Sequence, residues 1–151
     1  MRTPHRSGTY PDSLGCACAD LRRATRAVTQ LYDAALRPEG LRATQFTLLQ
    51  VLDRAGTVTQ GVLADITATD STTLSRTLTP LEKARWIRSF PGGDRRQRHL
   101  ELTPAGRRIL RRATPAWESI QQRLKESLGE SGWRALEGMT AAAVAAARER
   151  D

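Results

Sequence analysis

The chain has 151 residues, 39% of them hydrophobic, 26% charged and 5% aromatic, with a formal net charge of +8 and a pI near 10.9. That length suits one core; no apolar run nears the roughly 18–20 residues of a membrane span, and MRTPHRSGTYPDSLG lacks a signal peptide's apolar stretch. Two cysteines cannot make a disulfide framework, so the expectation is a soluble, cytoplasmic protein with free thiols, no membrane partner and no cofactor.

Residues 1–14, with Pro4, Gly8 and Pro11 and no periodicity, read as a flexible arm. From about Cys16 to Leu36, the spacing of Leu21, Ala24, Val28, Leu31 and Ala35 predicts an amphipathic helix, stopped by Arg37-Pro38-Glu39-Gly40. A second helix is expected from about Thr44 to Arg54, with Phe46, Leu49 and Leu52 inward. Thr59 reads as the N-cap of a short helix carrying Val62, Leu63 and Ile66. After the turn 67–70, a helix from Ser71 to about Ala84 carries Leu74, Leu78 and Leu81, and Pro80 predicts a bend or an early break.

Residues 86–90 and 98–102 alternate apolar with polar, as half-exposed strands do, and Pro91-Gly92-Gly93-Asp94 between them supplies turn chemistry. Thr103-Pro104 is a cap followed by proline at the first helical position. The helix that follows carries Ile109, Ala113, Trp117, Ile120, Leu124 and Leu128, with a kink expected at Thr114-Pro115. A last helix after Gly129 carries Trp133, Leu136, Ala143 and Ala147. The fold class is therefore mainly α with a small β-hairpin wing: a winged helix-turn-helix over 41–104 with a helical dimerisation region at 15–37 and 105–150. The outer helices carry apolar stripes that so small a winged domain cannot cover, and a two-fold dimer is the commonest remedy.

The charge is concentrated. Residues 85–112 hold nine arginines against Asp94 and Glu101, a net +7, whereas residues 1–84 carry +2 and residues 115–151 carry −1. Such clustering is the electrostatic footprint of a polyanion partner. The candidates for base or phosphate contact on the fourth helix are Ser71, Thr72, Thr73, Ser75 and Arg76, with Thr77 weaker. Ser71 reads equally well as a helix cap. Arg95 and Arg96 sit at the wing tip, where arginine can enter a narrow minor groove, and Asp94 reads as a loop brace. Arg85, Arg88 and Arg98 are the best phosphate contacts, while Arg107, Arg108, Arg111 and Arg112 read as well as a solvated helix face.

The stretch TQGVLADITATDSTTLSRTLTPLEKARWIRS followed by GGDRRQRHLELTPAGR resembles the MarR family of bacterial transcription regulators, and the likeness extends over about residues 14–150. It implies a homodimer that binds pseudo-palindromic operator DNA, usually as a repressor released by a phenolic ligand or an oxidant. Aligning TRAVTQLY with the organic-hydroperoxide-sensing branch brings Cys18 onto that branch's reactive cysteine and Tyr32 onto one of its two thiolate-bonding tyrosines; Ala43 occupies the other position.

Three readings of Cys16 and Cys18 stay open: oxidant sensors, with Cys16 as resolving thiol; small core residues; or a soft-metal pair needing a third ligand such as His5. The spacing assigns no metal site and no catalytic residues. The expected partners are double-stranded operator DNA, a second copy of the chain, and an oxidant or small-molecule effector. A thiol peroxidase using Cys18 and a non-specific nucleic-acid-binding protein are the competing functions, although no Cys–His pair, paired carboxylates or phosphate loop supports an enzyme.

Overall fold

The computed structural model describes residues 12–93 and 97–149. Helix α1 (Ala17–Leu36) runs into a 3₁₀ turn (Arg37–Glu39), then α2 (Ala43–Ala55), a two-residue strand β1 (Val58–Thr59), α3 (Gln60–Thr67) and α4 (Ser71–Lys83). Strands β2 (Ile87–Pro91) and β3 (Arg98–Leu102) lead into α5 (Pro104–Arg148), which is interrupted at Gly129. The sheet is antiparallel in the order β1-β3-β2, with Val58 opposite Leu100 and Ile87 opposite Leu102. No described helix is long and apolar enough to cross a membrane.

The helix ends follow their chemistry. Thr59 accepts from Val62 N at 3.2 Å, and Thr103 accepts from Gly106 N at 3.0 Å with Pro104 behind it, so both expected caps form. Asp70, not Ser71, caps α4, accepting from Thr73 N at 2.9 Å. Ser71 is the first helical residue instead.

The early break expected as one outcome at Pro80 does not occur, and neither proline ends its helix. Helix α4 continues through Pro80 to Lys83, and α5 keeps helical dihedrals through Pro115, its only non-helical residue being Gly129 (φ 70, ψ 167). Pro80, Pro115 and the residues four back, Arg76 and Arg111, are all exposed. Water can therefore satisfy the carbonyls that each proline leaves without a donor. Strand β1 also lay below sequence detection, because two residues show no alternation.

One core lies under the winged module. Its fully buried large side chains are Phe46, Leu36, Leu49, Leu52, Leu63, Leu74, Leu78, Leu81 and Leu100. Among the described residues the first buried apolar one is Leu36 and the last is Ala113. Outside those limits the helices hold no buried residue, and Leu14, Leu21, Leu31, Leu128, Leu136, Met139 and Val144 are exposed.

The joint between α4, the sheet and α5 is built on one carbonyl. Trp86 O accepts from Thr103 N at 3.0 Å, and the one proton of Thr103 Oγ1 is shared between Arg85 O at 2.7 Å and Trp86 O at 3.0 Å. Gly106 packs directly against it: a Cβ on Gly106 would lie 2.0 Å from Trp86 O. Helix propensity alone favours Gly106→Ala by about 1 kcal/mol. We expect the opposite sign, a loss of about 1–3 kcal/mol from overpacking, measured by urea unfolding; a stabilised variant would refute the close approach.

Candidate nucleic-acid interface

Helix α4 presents its polar face because Leu74, Leu78 and Leu81 anchor the other side in the core. At 100° per residue, Thr72, Arg76, Thr79 and Lys83 lie opposite that stripe, and all four are exposed. Of the residues expected from sequence, Thr72 and Arg76 are therefore central and Ser75 lies at the rim, half-buried. Thr73 and Thr77 turn to the other flank, where they line a cleft of about 180 Å³ with Thr44, Thr47, Thr67 and Thr69. Thr79 and Lys83 were missed, although the periodicity that located the leucines also places them. Gln60 was missed as well; its Nε2 donates to Ser75 Oγ at 2.8 Å, a contact between helices that no local pattern announces.

The approach to α4 is set by two left-handed residues. Ala68 (φ 49) closes α3, and Arg85 (φ 57) follows α4. At the second site Trp86 N donates to Leu81 O and Arg85 N to Glu82 O, both at 2.9 Å, the paired bonds of a Schellman motif. Glycine is the low-strain choice at such a position, and a side chain there costs on the order of 1 kcal/mol. Arginine is nonetheless present, exposed and without an ion pair among the described residues.

The other arginines divide by partner. Arg88 pairs with Glu101 and lies 5.7 Å from the centroid of the Phe90 ring. Arg98 pairs with Glu82 and donates to Ser89 Oγ at 2.9 Å. Arg107 reaches Asp53 at 3.5 Å and Arg112 pairs with Glu39, so these two tie α5 to α2 and to the 3₁₀ turn. Arg108 and Arg111 make no ion pair among the described residues. At the wing, Gly92 N donates to Gln97 O at 3.0 Å, and the His99 ring stacks on Phe90 with centroids 5.7 Å apart. Asp94, Arg95 and Arg96 lie outside the described residues.

Cys16 is the N-cap residue of α1 and Cys18 lies in its first turn; both are free and exposed, so neither packs in this chain's core. Asp20 accepts from Ser13 Oγ at 2.7 Å and Leu14 N at 2.9 Å, which folds the preceding segment back over this turn. Those bonds hold the Asp20 carboxyl below its usual range. His5, the third ligand of the metal reading, lies outside the described residues, and no group of three or more ligating side chains occurs among them.

Tyr32 lies fourteen residues beyond Cys18 on α1, about 21 Å along the axis, so within one chain it cannot bond that thiol. Its hydroxyl donates instead to Gln121 Oε1, and burial raises its pKa. It also lines a cleft of about 150 Å³ between α1, α2 and α5, with Phe46 and Trp117, whose rings stack at 5.7 Å.

The MarR family profile matches residues 39–97. Mycobacterium tuberculosis transcriptional regulator MosR, solved in complex with DNA, is 37% identical, with 87% of this chain and 96% of that chain covered and a TM-score of 0.80. The chain belongs to the MarR family. A second MosR crystal structure is 34% identical over 87% of this MarR-family chain and 98% of MosR, with a TM-score of 0.76. A mutant of E. coli MarR complexed with operator DNA shares the winged helix-turn-helix fold at 22% identity, a TM-score of 0.73 and coverage of 82% and 89%. Comparison with curated proteins found no match.

The cap of α4 makes the interface titratable. Hydrogen bonds from Thr73 lower the pKa of Asp70. A lowered carboxyl contributes stability above its unfolded value, near 3.9, and loses it as pH falls through the folded value. We expect the melting temperature to fall less steeply from about pH 5 to pH 2 in Asp70→Asn, which can still cap, than in the wild type. Equal slopes in thermal scans would contradict this assignment.

Proposed function

We propose that this MarR-family protein is a homodimeric repressor that reads a pseudo-palindromic operator. The observation that carries the reading is the exposed face of α4, where Thr72, Arg76, Thr79 and Lys83 stand opposite the leucine stripe. A helix so anchored can enter the major groove, and Arg76 can fork onto guanine O6 and N7. Arg85 supplies a phosphate contact, with Ser71, Thr72 and Thr73 near the start of α4. Arg88 and Arg98 exchange exposed carboxylate partners for phosphates, and the wing arginines Arg95 and Arg96 enter the minor groove. The DNA complexes of MosR and of E. coli MarR support this arrangement.

Dimerisation through 15–37 and 105–150 is supported by the exposed apolar side chains beyond the core: Leu21 and Leu31 on α1, and Leu128, Leu136 and Met139 on α5. A second copy of the same helices would bury them. The half-sites would then lie about one helical turn apart or a multiple of it.

The binding test uses a library of duplexes with about 24 randomised base pairs, sequenced after capture on the protein. A two-fold motif is expected. Arg76→Ala relaxes one position of each half-site, at a cost of about 1–3 kcal/mol there. Arg85→Gly weakens all sequences alike while raising unfolding stability by about 1 kcal/mol. Affinity falls roughly 10³–10⁵-fold between 50 and 200 mM salt if six to ten phosphates are engaged. Absence of any enriched motif, or a monomer in sedimentation, would overturn the proposal.

Release is assigned to the thiols at the start of α1. An organic hydroperoxide transfers oxygen to the Cys18 thiolate and leaves as the alcohol; the sulfenic acid then condenses with a Cys16 thiol, losing water. The exposure of both cysteines supports that access. Stoichiometric hydroperoxide should abolish binding, dithiothreitol should restore it, and Cys18→Ser should not respond. Undiminished binding by the oxidised wild type would transfer release to a small molecule, with the cleft lined by Tyr32, Phe46 and Trp117 as its site.

A further inference from the structure

We infer that Gln60 is a positioning residue that sets the base preference of Ser75, an inference that rests on the reading that α4 enters the major groove. Of three hydroxyls on α4, one is treated differently from the other two. Thr77 Oγ1 donates to Thr73 O at 3.1 Å and Thr79 Oγ1 to Ser75 O at 2.9 Å, the common resting place of a helical hydroxyl proton. Ser75 does not turn back in this way. Its Oγ accepts from Gln60 Nε2 at 2.8 Å, and among the described residues its own proton has no acceptor.

The geometry of the neighbours makes the contact durable. Gln60 is the first residue of α3, immediately after the Thr59 cap, and is half-buried. Ser75 is also half-buried and lies beside Arg76, at the rim of the exposed face of α4. With one lone pair occupied by an amide donor, the hydroxyl hydrogen points away from Gln60, and Ser75 meets a base edge as a donor. A donor suits purine N7, guanine O6 or thymine O4, and it opposes the N4 amino group of cytosine. Gln60 thereby converts a hydroxyl that could act either way into a polarised probe without itself touching a base.

Reversing the polarity of that bond tests the inference. In Gln60→Glu the carboxylate accepts the Ser75 proton, so the serine oxygen is left as an acceptor. Selection from the randomised duplex library should then shift one position of each half-site towards cytosine or adenine, whose amino groups donate. Gln60→Leu lets the hydroxyl fall back on the Ser71 carbonyl and should erase a roughly 3–10-fold preference at that position, with the rest of the motif unchanged. Ser75→Ala should erase the same preference with Gln60 intact.

A wild-type motif that persists in all three variants, even at lower affinity, would make Gln60 merely structural and overturn the inference while leaving operator binding standing. No wild-type motif at all would overturn both. If the Gln60 variants fail to fold by circular dichroism, Ser75→Ala decides alone: an unchanged motif refutes the donor role.

Discussion

The carbonyl of Trp86 is the point on which the winged module depends. It accepts from Thr103 N, shares the Thr103 hydroxyl proton with the Arg85 carbonyl, and admits Gly106 at a distance that no side chain could share. Those contacts join the link between α4 and β2, the residue after β3 and the start of α5 within one small volume. The register of the wing follows, since Ile87 must then face Leu102. So does the direction of α5, because the Thr103 cap and the Pro104 start are held against the same group. The direction in which α4 presents its polar face is thus tied to the neighbours of a single anchored carbonyl.

Around this joint the arginines divide by what they contact. Arg107 and Arg112 reach carboxylates on α2 and the 3₁₀ turn and so brace α5. Arg88 and Arg98 are paired at the surface of the sheet, where an exposed ion pair contributes little to stability and a phosphate can compete for the guanidinium. Arg85 stands apart: it occupies a left-handed position where glycine would relieve strain. A strained cationic residue at an exposed position is a local conflict that packing within the chain does not explain.

The limits of the core divide the molecule in a second way. Burial stops at Leu36 on one side and at Ala113 on the other, while the apolar spacing continues in both directions. The same hydrophobic pattern thus serves two purposes, packing within the chain between those limits and exposed apolar surface beyond them. The thiols of Cys16 and Cys18 lie at the start of the outer segment, remote in sequence from α4. Helix α1 connects that end to the rest of the chain through its packing on α5 and α2.

Much of this was legible in the amino-acid order. Helices, caps and strands follow from periodicity and from capping and turn residues, which act over three or four positions and so leave a local record at Thr59, Thr103 and Gly129. The cluster of arginines and the leucine stripe of α4 were equally plain, and the stripe contained the positions of Thr79 and Lys83. Only the tertiary structure decided which helical residues are central. It turned Thr73 and Thr77 to the flank against Thr44, Thr47, Thr67 and Thr69, and it carried α4 unbroken through Pro80. It also decided what crosses between elements: the Gln60–Ser75 bond, the Tyr32–Gln121 bond and the carboxylate partners of four arginines. Such contacts depend on how rigid elements pack in three dimensions, and spacing along the chain carries no record of that.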